Sequence, residues 1–141
     1  MTDKKELAGM LGGVPLFEGL SQRELERLVG ASKVVQAKAG HAVVVEGEAG
    51  VGFHLILEGK AKVTRGGRKL RLLGPGDSFG DIALIDGGVR SASVTAETPL
   101  QLLSVTTWQF KPLLIERPQI AYKLLLQLCA RLRDAEKRAT I

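Results

Sequence analysis

The chain has 141 residues, 45% of them hydrophobic, 25% charged and 4% aromatic, with 17 glycines and a formal net charge of +5. That is enough chain for one domain with one core, and too few aromatics for a stacking platform on single-stranded nucleic acid or for an aromatic cage. The charge admits two readings, an anionic partner (nucleic acid, a membrane surface or a phosphate ligand) or a mildly basic solvated surface.

In chain order, residues 3–12 are expected to form a short leading helix. "LSQREL" sets Ser21 three residues before Glu24, a capping-box spacing, and Leu25 and Leu28 follow at helical steps, so about 21–31 reads as an amphipathic helix. From Lys33 to Ser104 the period shortens. "KVVQAKA", "HAVVVE", "FHLILE", "KAKVT", "KLRLL", "SVTA" and "LQLLS" are short β-branched or alternating runs. Gly66-Gly67 joins two of them as a hairpin. Many short strands at this turn spacing predict a mainly β sandwich or barrel. His54, inside "FHLIL", is expected to point outward from its strand.

After Ser104 the helical period returns. Thr106 or Thr107 is positioned to cap a helix through about Glu116, with Pro112 as a kink or a later start. Pro118 suits the first turn of a second helix over about 118–138. Trp108 and Phe110 are read as packing residues. On the second helix Ala121, Leu125, Leu128, Leu132, Ala135 and Ala139 recur at steps of four and three. Such a seam serves either packing on the domain or a homodimer through 118–138. The mixed charges at 131–138 read as a solvated helix face, and no room remains for a helix-turn-helix, so no nucleic-acid partner is expected. The single cysteine, Cys129, lies in an apolar run and is read as a buried, inert thiol in a reducing compartment. With no signal-peptide segment and no run of membrane-spanning length, the expectation is a cytoplasmic, soluble domain with no membrane partner.

The stretch "GDSFGDIALIDGGVRSASV", residues 76–94, carries the chemistry. "GPGD" forces a turn, "FGDIALI" makes one or two helical turns, and Gly87-Gly88 ends them. A helix start presents unpaired N–H groups and partial positive charge, which suits an anion. Gly80 lets a ligand approach the backbone closely. Arg90, at the head of the next strand, offers a guanidinium able to hold two phosphate oxygens, and Ser91 adds a hydroxyl. Asp81 repels a phosphate and suits sugar hydroxyls instead. A phosphate next to a ribose fits that set.

"FGDIALIDGGVRSASV" resembles the phosphate-binding cassette of the cyclic nucleotide-binding domain family, of the catabolite activator and protein kinase A regulatory-subunit type. "PLFEGLSQRELERL" resembles the family's opening helix, "AGHAVVVEGEAGVGFHLILEGKAKV" its first strands, and "TTWQFKPLLIERPQIAYKLLLQLCARLR" its closing helices. The resemblance covers about 14–135 and implies one stand-alone domain over 1–141. The implied fold is an α+β, mainly β one: an eight-stranded jelly roll with an N-terminal helical segment at about 3–31, the roll at 33–104, a short cassette helix and two C-terminal helices at 106–138. It implies a ligand, cyclic AMP or cyclic GMP. It places Arg90 on the phosphate with Ser91 and Ala92 beside it. Gly80 and Asp81 take the positions that contact the ribose, Ile82 and Ala83 resemble the short helix whose backbone N–H groups line the pocket, Phe79 before them is a further ligand-binding candidate, and Arg133 of the last helix is the candidate to stack over the base. Asp81 stands where the family usually has glutamate, one methylene or about 1.5 Å shorter, and Val89 where it often has proline.

No catalytic residue, metal ligand or cofactor is assigned. His41 and His54 lack metal-ligand spacing, which disfavours a cupin-type metal enzyme on a similar roll. Two functions remain: a cyclic nucleotide sensor whose last helix repositions for an unknown effector protein, and a degenerate roll without ligand that acts as a dimerisation or docking module. The sensor is preferred because Arg90, Gly80 and the helix start occur together.

Overall fold

The computed structural model describes residues 3–50 and 52–139. They form two compact units, one made of the chain up to Gly30 and from Pro112 onward, the other of Ala31–Lys111.

The first unit is helical. Helix α1 (Lys4–Gly12) starts at Asp3, whose carboxylate accepts from the Glu6 N–H at 2.9 Å. A 3-10 turn at Pro15–Phe17 leads to α2 (Gln22–Gly30). The expected capping box is present in both directions: Ser21 Oγ accepts from the Glu24 N–H at 3.2 Å, and Glu24 Oε1 accepts from the Ser21 N–H at 2.9 Å. The same oxygen takes Lys123 Nζ at 2.7 Å. Burial alone would raise the Glu24 pKa, but the Lys123 ammonium and the Ser21 donors outweigh it and hold the carboxyl below its usual range. Lys123 belongs to α5 (Pro118–Ala139), which follows α4 (Thr107–Glu116) after a break at Arg117. Pro112 lies inside α4. Leu7, Leu11, Leu16, Phe17, Leu25 and Leu28 are buried from the N-terminal side, and Ile120 and Leu124 from α5.

That leaves much of the four-and-three seam of α5 outside, with Ala121 and Leu128 half-buried. Leu125 and Leu132 are 57% and 64% exposed, because the buried stripe runs through Ile120 and Leu124 instead. Cys129 is likewise exposed, which corrects the expectation of a buried thiol. The apolar run around it covers more of the helix than one buried face can use. No helix of the described residues is long and apolar enough to cross a membrane.

The second unit is the roll expected from the short runs. Eight strands form two four-stranded antiparallel sheets, ordered β1-β8-β3-β6 and β2-β7-β4-β5. They are β1 (Lys33–Ala37), β2 (Ala42–Val44), β3 (Gly52–Glu58), β4 (Ala61–Arg65), β5 (Arg68–Leu73), β6 (Ser78–Phe79), β7 (Ser93–Ala96) and β8 (Leu100–Thr106). Gly66-Gly67 turns the β4–β5 hairpin as its sequence predicts. Side chains alternate across each strand. The inner faces meet in a core of Ile56, Ala61, Leu73, Val94, Ala96, Leu100 and Leu102, drawn from both sheets. A short helix, α3 (Asp81–Asp86), packs against β3.

Strand β3 carries a correction. His54 points into the roll, not out of it. It pairs with Ser104 on β8 and Phe79 on β6, two places along from the core pair Ile56–Leu102. Phe53, Leu55 and Ile56 are all buried, so both faces of β3 are covered and its sequence shows no alternation from which a facing could be read.

Candidate ligand-binding site

The site is built on the segment after β6. Gly80 takes a left-handed conformation (φ +90°) and begins α3, whose first turn closes with the Leu84 N–H donating to the Gly80 carbonyl at 2.9 Å. Gly87, also left-handed, ends it, with its N–H on the Ala83 carbonyl at 2.8 Å. Loop 87–92 then returns to the sheet under backbone restraint. The Arg90 N–H donates to Glu48 O at 2.9 Å, the Gly47 N–H to Arg90 O at 3.0 Å, and the Gly50 N–H to Gly88 O at 2.9 Å. Arg65 adds a side-chain tie, its Nε donating to Ser91 O at 2.9 Å.

These bonds aim Arg90 inward. The residue is 8% exposed, one of two buried charged residues among those described. Its Nη2 donates to the Gly52 carbonyl, while its Nε has no hydrogen-bond partner among the described residues. Burial pushes its pKa below the usual guanidinium value. The guanidinium sits between two glycines. A Cβ on Gly50 would fall on Arg90 Nε, and one on Gly80 on Nη1. Glycine at 50 and 80 is therefore what lets the side chain lie where it does.

Around Arg90 the roll opens into hollows. The roll cavity, 310 Å³, is lined by Val44, Val63, Arg65, Leu70, Arg71 and Leu73 on the strand side, and by Ser78, Phe79, Gly80, Arg90, Ser91, Ala92 and Val94 on the cassette side. Of the residues singled out in the sequence, Phe79, Gly80, Arg90, Ser91 and Ala92 meet here. Asp81, Ile82 and Ala83 lie instead along a hollow over α3, shared with Gly80, Arg90 and Ser91. The Asp81 carboxylate accepts from the Ile82 N–H at 2.8 Å. Arg133 stands exposed on α5, in the other unit.

Arg65 and Arg71 are the residues that sequence reasoning missed. Both are exposed and border the cavity: Arg65 lies two residues beyond Val63 on β4, and Arg71 is the direct cross-strand partner of Val63. The signal was present in "KVTRGGRKLRLL", where alternate positions turn from apolar to basic as the hairpin tip is approached. The lining thus holds three guanidinium groups and no carboxylate. Coulombic attraction at such a site favours an anion.

The comparisons agree with that geometry. A family model described as "Cyclic nucleotide-binding domain" matches residues 34–117, which span the roll from the second residue of β1 onward together with α4. The chain belongs to the cyclic nucleotide-binding domain family. Among similar family members, the "Cyclic AMP receptor protein" of Thermus thermophilus is 34% identical over 129 residues, 88% of this chain and 60% of that one. A "cAMP-dependent protein kinase regulatory subunit" of Yarrowia lipolytica is 37% identical over 108 residues, 75% of this chain and 29% of that one. A solved N-terminal domain of a transcriptional regulator from Streptomyces coelicolor superposes with a TM-score of 0.86 at 28% identity, covering 94% of this chain and 96% of that one. The cyclic nucleotide-binding domain described here spans 60% or less of these two curated relatives.

Proposed function

We propose that the chain is a cyclic nucleotide sensor module, not an enzyme, that binds cyclic AMP, with cyclic GMP as the alternative, in the roll cavity. The observation that carries this reading is the cationic cavity itself: Arg90, Arg65 and Arg71 converge on 310 Å³ beside a short helix that begins at Gly80. That volume lies at the small end of ligand sites, about 300–1,000 Å³. In this reading the phosphate takes Arg90 and the Ser91 hydroxyl, and the base lies toward Val63, Leu70 and Leu73. Asp81 meets the ribose through water or after a local shift of α3. Arg133 covers the base when α5 repositions, and the pose of α5 is the output to an effector. A second copy of this chain fits the exposed seam at Leu125 and Leu132.

Calorimetric titration with cyclic AMP and cyclic GMP tests the proposal. Arg90→Ala should weaken binding by about 1.5–3 kcal/mol, the worth of a charged hydrogen bond. No heat and no melting shift at millimolar ligand would sink it. The second reading, a roll kept as a docking or dimerisation module, is favoured by one observation: Arg90 Nη2 is already engaged by Gly52 O. It predicts self-association through α5, lost in Leu132→Glu, with no response to either nucleotide.

A further inference from the structure

Arg90 lines two cavities, not one. Gly80, which lies against Nη1, lines the roll cavity; Gly50, which lies against Nε, lines a different one of 620 Å³. This second cleft lies between β1, β8 and β3 on one side and β2 on the other. We infer that it is a second binding site, for an organic acid bearing one anionic head group on an apolar body, and that its ligand competes with the roll cavity's ligand for the Arg90 guanidinium.

The floor of the cleft is a polar row. Lys33, Ser104 and His54 are direct partners across β1, β8 and β3, on the face that carries Leu102 and Ile56 two residues further on. His54 Nδ1 and Ser104 Oγ are 2.7 Å apart, and the His54 ring is fixed by Phe79 with centroids 5.0 Å apart. Burial and then the Arg90 charge keep the imidazole neutral. The head group's partner is the buried Arg90 Nε, a donor without an acceptor among the described residues, which costs stability until one arrives. The charged lining is Arg90 and Lys33 against Glu48, one positive charge in excess, which matches a single negative charge. Val35, Val43, Val44 and Val45 supply an apolar wall, and Trp108, 63% exposed, stands at the mouth. Packing on the roll was the expectation for Trp108; a solvent-facing indole beside an open cleft suits a flat ligand instead.

The competition follows from charge and rests on the proposed cyclic nucleotide site. Two anions held by the one guanidinium that lines both cavities lie close enough to repel each other, most strongly where both are partly buried. Linkage makes the antagonism reciprocal.

The probe is 8-anilinonaphthalene-1-sulfonate, an anionic head on an aromatic body, titrated by fluorescence into the full chain. Expected is saturable binding that weakens at least tenfold in Arg90→Ala. Val35→Trp, which fills the cleft from the β1 edge, and Lys33→Glu, an exposed change that spares folding, should weaken it severalfold. Both should leave cyclic AMP titration unchanged, because neither residue lines the roll cavity. Saturating cyclic AMP should raise the probe's dissociation constant severalfold. Unchanged probe affinity in Arg90→Ala and Lys33→Glu overturns the site and assigns the probe to other surfaces, such as the leucines of α5. Probe affinity indifferent to bound cyclic AMP overturns the shared guanidinium. If cyclic AMP gives no heat at all, the proposed function fails while the cleft still stands or falls on the variants.

Discussion

Acidification should destabilise this protein through His54, by an amount that its surroundings set. The imidazole is mostly buried between two sheets, hydrogen-bonded to Ser104 Oγ, with the Arg90 guanidinium nearby. Burial first, and the Arg90 charge second, push its pKa from 6.5 down to about 4. The folded state therefore resists a proton that the unfolded chain accepts readily. Stability is complete above pH 6.5, falls as the pH drops from 6.5 toward 4, and levels off below that. A gap of that size corresponds to about 2 kcal/mol lost at pH 5 and on the order of 3 kcal/mol by pH 4. Carboxylates titrate in the same window, so the reading comes from a difference. His54→Gln keeps a partner for Ser104 but does not titrate. Urea unfolding of both proteins from pH 8 to 4 should show the wild type losing about 2 kcal/mol more than the variant by pH 5. Parallel curves would refute the burial argument and mean that His54 reaches water in solution. Arg90→Ala should shrink the difference, since it removes the second cause of the shift.

Gly80→Ala should destabilise the roll by about 1–3 kcal/mol, because the φ of +90° is strained for a residue with a Cβ and the new atom would displace Arg90; an unshifted melting temperature counts against the Arg90 placement. Ser21→Ala, which removes one arm of the capping box, should cost about 1 kcal/mol in chemical denaturation, and no change would mean that the Glu24–Lys123 pair anchors α2 alone. Cys129 should react with a disulfide reagent in the native protein at a rate unchanged by denaturant. A thiol that reacts only on unfolding would show that a partner or a second copy covers α5.

Much of the architecture was legible before any coordinates. Period-two runs broken by glycine gave the roll, Ser21 and Glu24 announced α2, and Pro118 marked the start of α5. In those places a local rule decides, because a turn or a cap involves residues close in the chain. The cassette was legible for the same reason, as Phe79, Gly80, Arg90, Ser91 and Ala92 lie within one short stretch. What escaped depended on partners far along the chain. His54 was misread because both faces of β3 are covered, and Cys129 because one helix carries more apolar surface than its unit buries. Arg65 and Arg71 became site residues only when the β4–β5 pairing brought them to the edge of the cavity.

By itself, then, the amino-acid order determined which segments are strands, where the helices cap and which glycine-rich stretch offers an arginine to a phosphate. Only the tertiary structure decided where that arginine lies: between Gly50 and Gly80, thirty residues apart, bonded to Gly52 O and bordering two cavities. The reason is steric. A buried guanidinium needs both a carbonyl in reach and space free of Cβ atoms, and that space is made by residues brought together only when the two sheets close.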